Sequence, residues 1–423
     1  MKRILRLLLL YLLALAARPL VRRPRGSITS VLYLKPDHLG DLLLATPVLA
    51  ALRQRCPEAR VAALVGPWSA LVLQRSPDVD VLLTCPFPGF ERRAQGAGRR
   101  AQGAERSLGG LLAACGLRLA TLVRPYRLLF RYALLLRSAR YDLAIVGRDD
   151  HWWGAALALL AGVPRRVGFA VPECRPFLTT ALPWGPRAHV TEQGLDLVAA
   201  VDKETRRQGD KETRRADSTG SASRSPGLPV SLKSRFDPAQ DDITWADRWI
   251  AEQGLAGERL VMIHPGTGGP AKLWRPERWA EVADALHAGG ARLLLTGGSD
   301  EVALVAEVAA HMCAPAHALA GQTSVGQLAA LLRRAALVLG VDSGPLHLAA
   351  AQGVPTIHLY GPGDDRRFGP WGDPARHVVV RAGLWCSPCG VFGACPRGLE
   401  QPECMDLITS ARVIAQAEQM LAA

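Results

Sequence analysis

Eight short apolar runs, each ending near small or polar loop residues, set the limits on what this chain can fold into. In the first half they are Val31–Lys35, Val61–Val65, Val79–Leu83 and Leu143–Val146, with helical spacing over Asp41–Arg55. The second half repeats the pattern at Leu260–His264, Arg292–Thr296, Leu337–Gly340 and Thr356–Tyr360. Helical patterns over Arg278–Ala288, Glu301–Met312, Ser324–Arg334 and Gly344–Ala351 fall between them. Ser324-Val325-Gly326-Gln327 has the spacing of a capping box. Strands alternating with helices in this way predict βα units and a parallel sheet in each half, an α/β chain of two doubly wound domains.

The boundary between the halves is written in a tandem repeat. Asp202–Asp217 reads DKETRRQG-DKETRRAD and runs on into a Ser/Gly-rich stretch ending at Pro226-Gly227, a composition that suits a flexible linker. A second repeat, Arg92–Ala104, reads RRAQGAG-RRAQGA. Both are too short and too polar to bury a core, which excludes a solenoid. The expected organisation is a segment 1–26, a domain over 27–200, a linker over 201–230 and a domain over 231–423. Interleaved Glu and Asp, with no aromatic residues among them, make the linker repeat a solvated segment rather than a nucleic-acid site.

Of the 423 residues, 49% are apolar and 21% charged, so the chain is mostly globular; it is neither disordered throughout nor a multi-span membrane protein. The net charge of +13 is concentrated in part at the N-terminus. There the apolar stretch Ile4–Ala17, interrupted by Arg6, is flanked by Lys2, Arg3, Arg18, Arg22, Arg23 and Arg25. It is shorter than the roughly 20 residues that span a bilayer. Ala14-Leu15-Ala16 imitates a signal-peptidase site, but the dense positive charge after it argues for retention in the cytoplasm. The expectation is an interfacial helix held on the anionic inner face of the cell membrane; the alternative is an extra helix packed on the first domain. Nine cysteines, unevenly placed, do not make a disulfide scaffold and fit a reducing compartment. Four of them, Cys386, Cys389, Cys395 and Cys404, open with a C-x2-C pair that thiolate ligation of zinc would allow, although the spacing of the second pair is irregular and weighs against a metal.

In doubly wound sheets ligands bind beyond the carboxyl ends of the strands. Gly266-Thr267-Gly268-Gly269, Gly297-Gly298-Ser299, Asp342-Ser343-Gly344 and Gly361-Pro362-Gly363 all follow second-half strands. Small residues there let backbone amides approach a diphosphate, Thr267 can donate a hydroxyl hydrogen bond and Lys272 can supply a point charge. There is no Walker G-x-x-x-x-G-K-[ST]. Gly266–Ala271 matches the dinucleotide pattern G-x-G-x-x-A, but Pro270 and the long stretch before the helix spoil the tight turn that an oxidoreductase needs. Ser343 or Asp342 can cap the next helix, and His347 in its first turn would point back at the same site. In the first half, Lys35-Pro36-Asp37-His38-Leu39-Gly40-Asp41 occupies the matching loop, where the Asp41 carboxylate could accept a proton from a hydroxyl nucleophile.

With Thr46-Pro47, the Lys272–Trp279 segment, Leu295–Gly298, and Asp342–Ala350 ending in Tyr360-Gly361-Pro362, these residues resemble glycosyltransferase family 9, the lipopolysaccharide heptosyltransferase group. The resemblance covers roughly residues 31–82 and 260–410. It implies a GT-B fold, two Rossmann-like domains facing across a cleft, with the acceptor on the first and a nucleotide sugar on the second. It also implies inverting, metal-independent transfer of a heptose or related sugar, from a donor expected to be ADP-linked, to a lipid-linked or cell-surface glycan precursor. By position Asp41 is the implied catalytic base, and Lys272 is the implied catalytic cation that, with Thr267, contacts the leaving diphosphate. Gly40, Thr267, Gly268, Gly297, Gly298, Ser299, Asp342, Ser343, Gly344 and His347 are the implied substrate contacts. Where the family often has two small residues before Leu-Gly-Asp this chain has Asp37 and His38, which makes Asp37 a rival base. The reading from another class is a non-catalytic nucleotide-sugar-binding protein at the membrane.

Overall fold

The computed structural model describes residues 2–24, 26–90, 108–185, 188–201 and 232–422, and the side chains of its long helix only from residue 123 onward. Both tandem repeats, and the linker beyond Val201, lie outside the described residues. The apolar runs are strands because a parallel sheet covered on both faces buries every side chain of its inner strands. In the first half β1 (Ser30–Lys35), β2 (Arg60–Val65), β3 (Val81–Thr84), β4 (Leu143–Val146), β5 (Arg165–Phe169) and β6 (Thr180–Leu182) form one sheet in the order β3-β2-β1-β4-β5-β6. In the second, β7 (Leu260–His264), β8 (Arg292–Leu295), β9 (Ala316–Ala318), β10 (Leu337–Val341), β11 (Thr356–Leu359) and β12 (His377–Val380) are ordered β12-β11-β10-β7-β8-β9. All pairs are parallel, with Leu32 opposite Ala62 on one side and Ala144 on the other, and Ile263 between Leu339 and Leu295. Each half therefore has the same winding: its first strand is central and the order reverses beside it, between β1 and β4 and between β7 and β10. Those reversals are where such sheets bind ligands.

Alternate residues of the first sheet feed different cores. Val31, Tyr33, Val61 and Ile145 pack with the helices Thr46–Arg55 and Val190–Ala199 on one face. Leu32, Leu34, Leu64 and Val146 pack with Leu108–Ala139 and Trp152–Leu160 on the other. In the second half Val261, Ile263 and Leu339 meet the helices Pro276–Ala288 and Ser410–Ala422 around Trp274 and Trp279, whose rings stand edge to face at 4.8 Å.

The structure departs from the sequence reading in three places. The helix expected over Asp41–Arg55 is two, Leu39–Leu43 and Thr46–Arg55, because Pro47 has no amide for the ladder and the Thr46 hydroxyl donates instead to the Leu43 carbonyl at 2.7 Å. Strands β5, β6, β9 and β12 were not expected: β5 opens on Arg165 and Arg166, both buried, and the others are short edge elements. The N-terminal segment, helix Lys2–Ala17, is partly the packed helix of the alternative reading, with Leu10, Ala14 and Ala17 buried against the first domain. Leu7 and Leu13 are half-buried, whereas Leu5, Leu8, Leu9, Leu12 and Leu15 are exposed. Among the described residues no helix is long and apolar enough to cross a membrane. The capping box at Ser324 and Gln327 forms as expected, each side chain taking the other's backbone amide.

Candidate active site at the two strand reversals

The loop after β1 carries two carboxylates with opposite surroundings. Asp37, 2% exposed, lies between Lys35, whose Nζ is 3.1 Å from Oδ2, and Arg148, which pairs with Oδ1. Burial works to raise the Asp37 carboxyl, but the two cations outweigh it and hold its pKa at about 2. Arg148, from the loop after β4, also pairs with Asp150, and Lys35 Nζ donates to the Gly147 carbonyl at 3.0 Å. The Asp37 carbonyl accepts from Trp68 Nε1 and from Ser69 Oγ at 3.1 and 2.9 Å. Asp37 is thus a fixed ion-pair member, with its charge already matched. Asp41 sits in the first turn of the helix Leu39–Leu43. Burial first, then the negative charges of Asp37 and Asp342, push its pKa up to about 6 against the pull of Lys35 and Arg148. A carboxylate of that basicity is ionised at neutral pH and a better proton acceptor than an ordinary one. Of the two, Asp41 is the group suited to take a proton.

The second half supplies the positive charge. Lys272 ends a short turn, Pro270–Lys272, and its Nζ lies 2.7 Å from the Asp342 carbonyl and 3.3 Å from Asp342 Oδ2. Thr267 Oγ1 donates to that same carbonyl at 3.1 Å, so the two expected diphosphate contacts converge on one point at the end of β10. Phe392 backs the lysine: its ring is 4.9 Å from Nζ and its carbonyl accepts from the Ala271 amide at 3.0 Å. Ser343 stands at the N-cap of the helix Gly344–Ala351 without capping it. Its hydroxyl and His347 Nδ1 are buried without a hydrogen-bond partner, the arrangement of groups that await a ligand. His347 Nε2 is 4.0 Å from Asp342 Oδ1. Burial lowers its pKa to about 4, against the Asp342 charge, so the imidazole is neutral at pH 7.

The two loops meet. A Cβ placed on Gly40 would lie 3.1 Å from His347 Cδ2 and 3.3 Å from Gly344 Cα, and one on Gly344 would lie 3.0 Å from Leu39 Cδ2. Only glycines let the helices Leu39–Leu43 and Gly344–Ala351 approach this closely. His189 joins the halves again, its Nε2 3.1 Å from the Gly369 carbonyl and its ring 4.9 Å from Trp371. Gly297, Gly298 and Ser299 lie one strand away, beyond β8. The Gly298 amide is already taken by Glu301 Oε2 at 2.7 Å, a carboxylate that also stands 3.5 Å from His264 Nε2. Gly268 and Ser299 are exposed at this edge.

Cys386, Cys389, Cys395 and Cys404 line a cavity of about 80 Å3 behind Ala271 and Pro362. Among the described residues no group of three or more His, Cys, Asp or Glu side chains is arranged to hold a metal ion. Sequence reasoning missed Arg148, His189, Glu301 and Phe392. The signal for Arg148 was present, since its loop follows a strand beside the reversal just as Asp37–Asp41 does. Glu301 closely follows the Gly297-Gly298-Ser299 loop, and His189 and Phe392 come from loops distant in the chain.

Comparison with known proteins agrees with this geometry. The family model "Glycosyltransferase family 9 (heptosyltransferase)" matches residues 129–394, more than half of the chain. The chain is 26% identical over 341 residues to lipopolysaccharide heptosyltransferase 3 of Escherichia coli, covering 78% of this chain and 83% of that protein. Its fold is similar to that of the family 9 glycosyl transferase from Veillonella parvula DSM 2008, with a TM-score of 0.69 and 20% identity over 93% of this chain and 97% of the other. It is also similar to E. coli ADP-heptose lps heptosyltransferase II, with a TM-score of 0.64 and 20% identity over 93% and 99%. Two parallel six-stranded Rossmann-like sheets meeting at their strand reversals, with this family match, place the chain in glycosyltransferase family 9, as a glycosyltransferase of the GT-B fold.

Proposed function

We propose that this enzyme transfers a heptose or closely related sugar from an ADP-linked donor to a hydroxyl of a lipid-linked or cell-surface glycan precursor, with inversion at the anomeric carbon. The observation that carries the reading is the meeting of a basic carboxylate, Asp41, with the Lys272–Thr267–Asp342 cluster across one interdomain contact. The acceptor oxygen forms a bond to the anomeric carbon from the side of the first domain. The bond from that carbon to the diphosphate oxygen breaks, and its electron pair leaves with the nucleoside diphosphate. The hydroxyl proton passes to Asp41. Lys272 and the N-terminal amides of the helix Gly344–Ala351 stabilise the charge growing on the diphosphate, where other transferases use a divalent cation. Ser343 and the neutral His347 offer hydrogen bonds to donor oxygens.

ADP as the leaving group is supported by the names of the relatives, one of which is called an ADP-heptose heptosyltransferase. We place the reaction at the cytoplasmic face of the cell membrane, where the arginine-flanked N-terminal helix would keep the enzyme beside a lipid-linked acceptor. The test is thermal stabilisation by ADP, UDP and GDP and their sugar conjugates, since a ligand bound only by the native state raises Tm. The expected result is selective stabilisation by ADP and ADP-heptose that is weakened in Lys272→Ala. Preference for UDP or GDP would overturn the donor assignment. Transfer that stops on chelation and recovers with a divalent ion would overturn the metal-independent mechanism.

A further inference from the structure

The helix Lys2–Ala17 leaves Ile4, Leu5, Leu8, Leu9, Leu12 and Leu15 between 57 and 65% exposed, and buries only three residues. A helix in water normally turns such residues inward. The same inversion recurs on a second helix with no sequence relation to the first. Leu108–Ala139 buries Leu129, Ala133 and Leu136 but exposes Tyr126, Phe130 and Leu134, at helical spacing, to 53, 50 and 72%. Exposed Arg127 and Arg131 run alongside that stripe. Both helices pack on the same element, Trp152–Leu160, over the same face of the first sheet. Their C-terminal ends are tied together: Arg137 Nη1 donates to the Leu20 carbonyl at 3.2 Å and Arg22 Nη1 to the Arg140 carbonyl at 3.0 Å.

We propose that Leu108–Ala139 is a second membrane-contacting element, and that it and the N-terminal helix form one surface that inserts into the headgroup layer of an anionic bilayer. The occupant is chosen by charge. The first 25 residues carry Lys2, Arg3, Arg6, Arg18, Arg22, Arg23 and Arg25 and no acid, and the second stripe is likewise edged by arginine. Bare apolar residues bordered by cations match an acyl layer under anionic headgroups, whereas an apolar protein surface gives the cations nothing to pair with. A helix of 16 residues is about 24 Å long, too short to cross the hydrocarbon core, so it lies along the surface.

The surface is also placed to serve the site. Tyr132 Oη donates to the carbonyl of Thr84, the last residue of β3, at 2.9 Å, and Trp153 Nε1 donates to the Pro125 carbonyl at 3.1 Å. The second helix therefore runs past the carboxyl edge of the first sheet, the edge that bears Asp41 and Arg148. Membrane contact along it sets the acceptor half against the bilayer; this last step rests on the functional reading above, while lipid binding itself does not.

The test is co-sedimentation of the full chain with phosphatidylcholine vesicles, with and without about one quarter phosphatidylglycerol. The expected result is binding that requires the anionic lipid and that falls about tenfold or more in Phe130→Glu/Leu134→Glu, even with the N-terminal helix intact. Those side chains are exposed, so the variant should keep its Tm and its turnover of a detergent-solubilised acceptor; loss of turnover in the wild-type protein as well would implicate the functional reading instead. Unchanged vesicle binding in the double variant would overturn the second element. Equal binding to neutral vesicles would overturn the charge argument, and self-association relieved by the variant in the absence of lipid would assign the surface to a second copy of the chain.

Discussion

Two carboxylates four residues apart, on one loop, have been given opposite duties by their neighbours. Lys35 and Arg148 hold the pKa of Asp37 at about 2, while desolvation and the negative charges of Asp37 and Asp342 push that of Asp41 up to about 6. The signs give separate predictions. In the proposed mechanism transfer requires ionised Asp41, so kcat/KM measured against pH should fall on the acid side with a midpoint near 6 and a slope of one proton. Because the folded pKa of Asp41 is raised, the native state binds more protons than the unfolded chain between about 4 and 6, and stability declines as pH rises through that window. Asp41→Asn should therefore be more stable than wild type at pH 7, by about 1–3 kcal/mol, in a urea titration. Asp37 behaves in the other sense: its stabilisation is present above about 4 and is lost as pH falls toward 2. Asp37→Asn removes the buried charge that Lys35 and Arg148 share, leaving them only the Gly147 carbonyl and Asp150, and should cost about 3 kcal/mol in the same titration. The sequence alone allowed both residues as bases. What it could not display is the pairing of Asp37 with Arg148, which reaches it from a loop more than a hundred residues away.

At the scale of elements, the strands were legible where their cores are buried on both faces, as in Leu143–Val146 and Leu260–Ile263 of β7, because burial there favours a continuous apolar run. Strand β5 was hidden by Arg165 and Arg166, whose charges are buried and whose Arg166 guanidinium is spent on the carbonyls of Val163, Pro164 and Phe177. The long helix Leu108–Ala139 was obscured by its internal Pro125 and by apolar residues on its exposed side as well as its buried one. The loops that make the donor cluster were readable from strand ends, but their support was not. Phe392 sits in the cysteine-bearing loop about 120 residues beyond Lys272, and holds that lysine by its ring and Ala271 by its carbonyl. Phe392→Ala should weaken donor binding by about two- to fivefold, read as a rise in donor KM with kcat nearly unchanged, the magnitude of one partly exposed cation–π contact. An unchanged KM would show that Lys272 is placed without it.

For the whole molecule, the decisive feature is that both sheets reverse strand order at the edge where they face one another, so one cleft collects the ligand edges of two domains. The halves approach through Gly40 and Gly344, and a methyl group at either would press on the opposite helix at 3.0–3.3 Å. Gly344→Ala should lower transfer more than donor affinity, since it displaces Asp41 relative to the donor without removing a donor contact; Gly344→Val should also lower Tm. The central claim is that Asp41 takes the acceptor proton while the second domain alone holds the nucleotide. The measurement that meets it most directly is made on one preparation of Asp41→Asn: ADP affinity by calorimetry, and the single-turnover rate of sugar transfer from ADP-heptose to the lipid-linked acceptor. The account predicts a dissociation constant within about twofold of wild type and a rate lower by about 10²–10⁴. A rate within a few-fold of wild type, with ADP still bound, would contradict it.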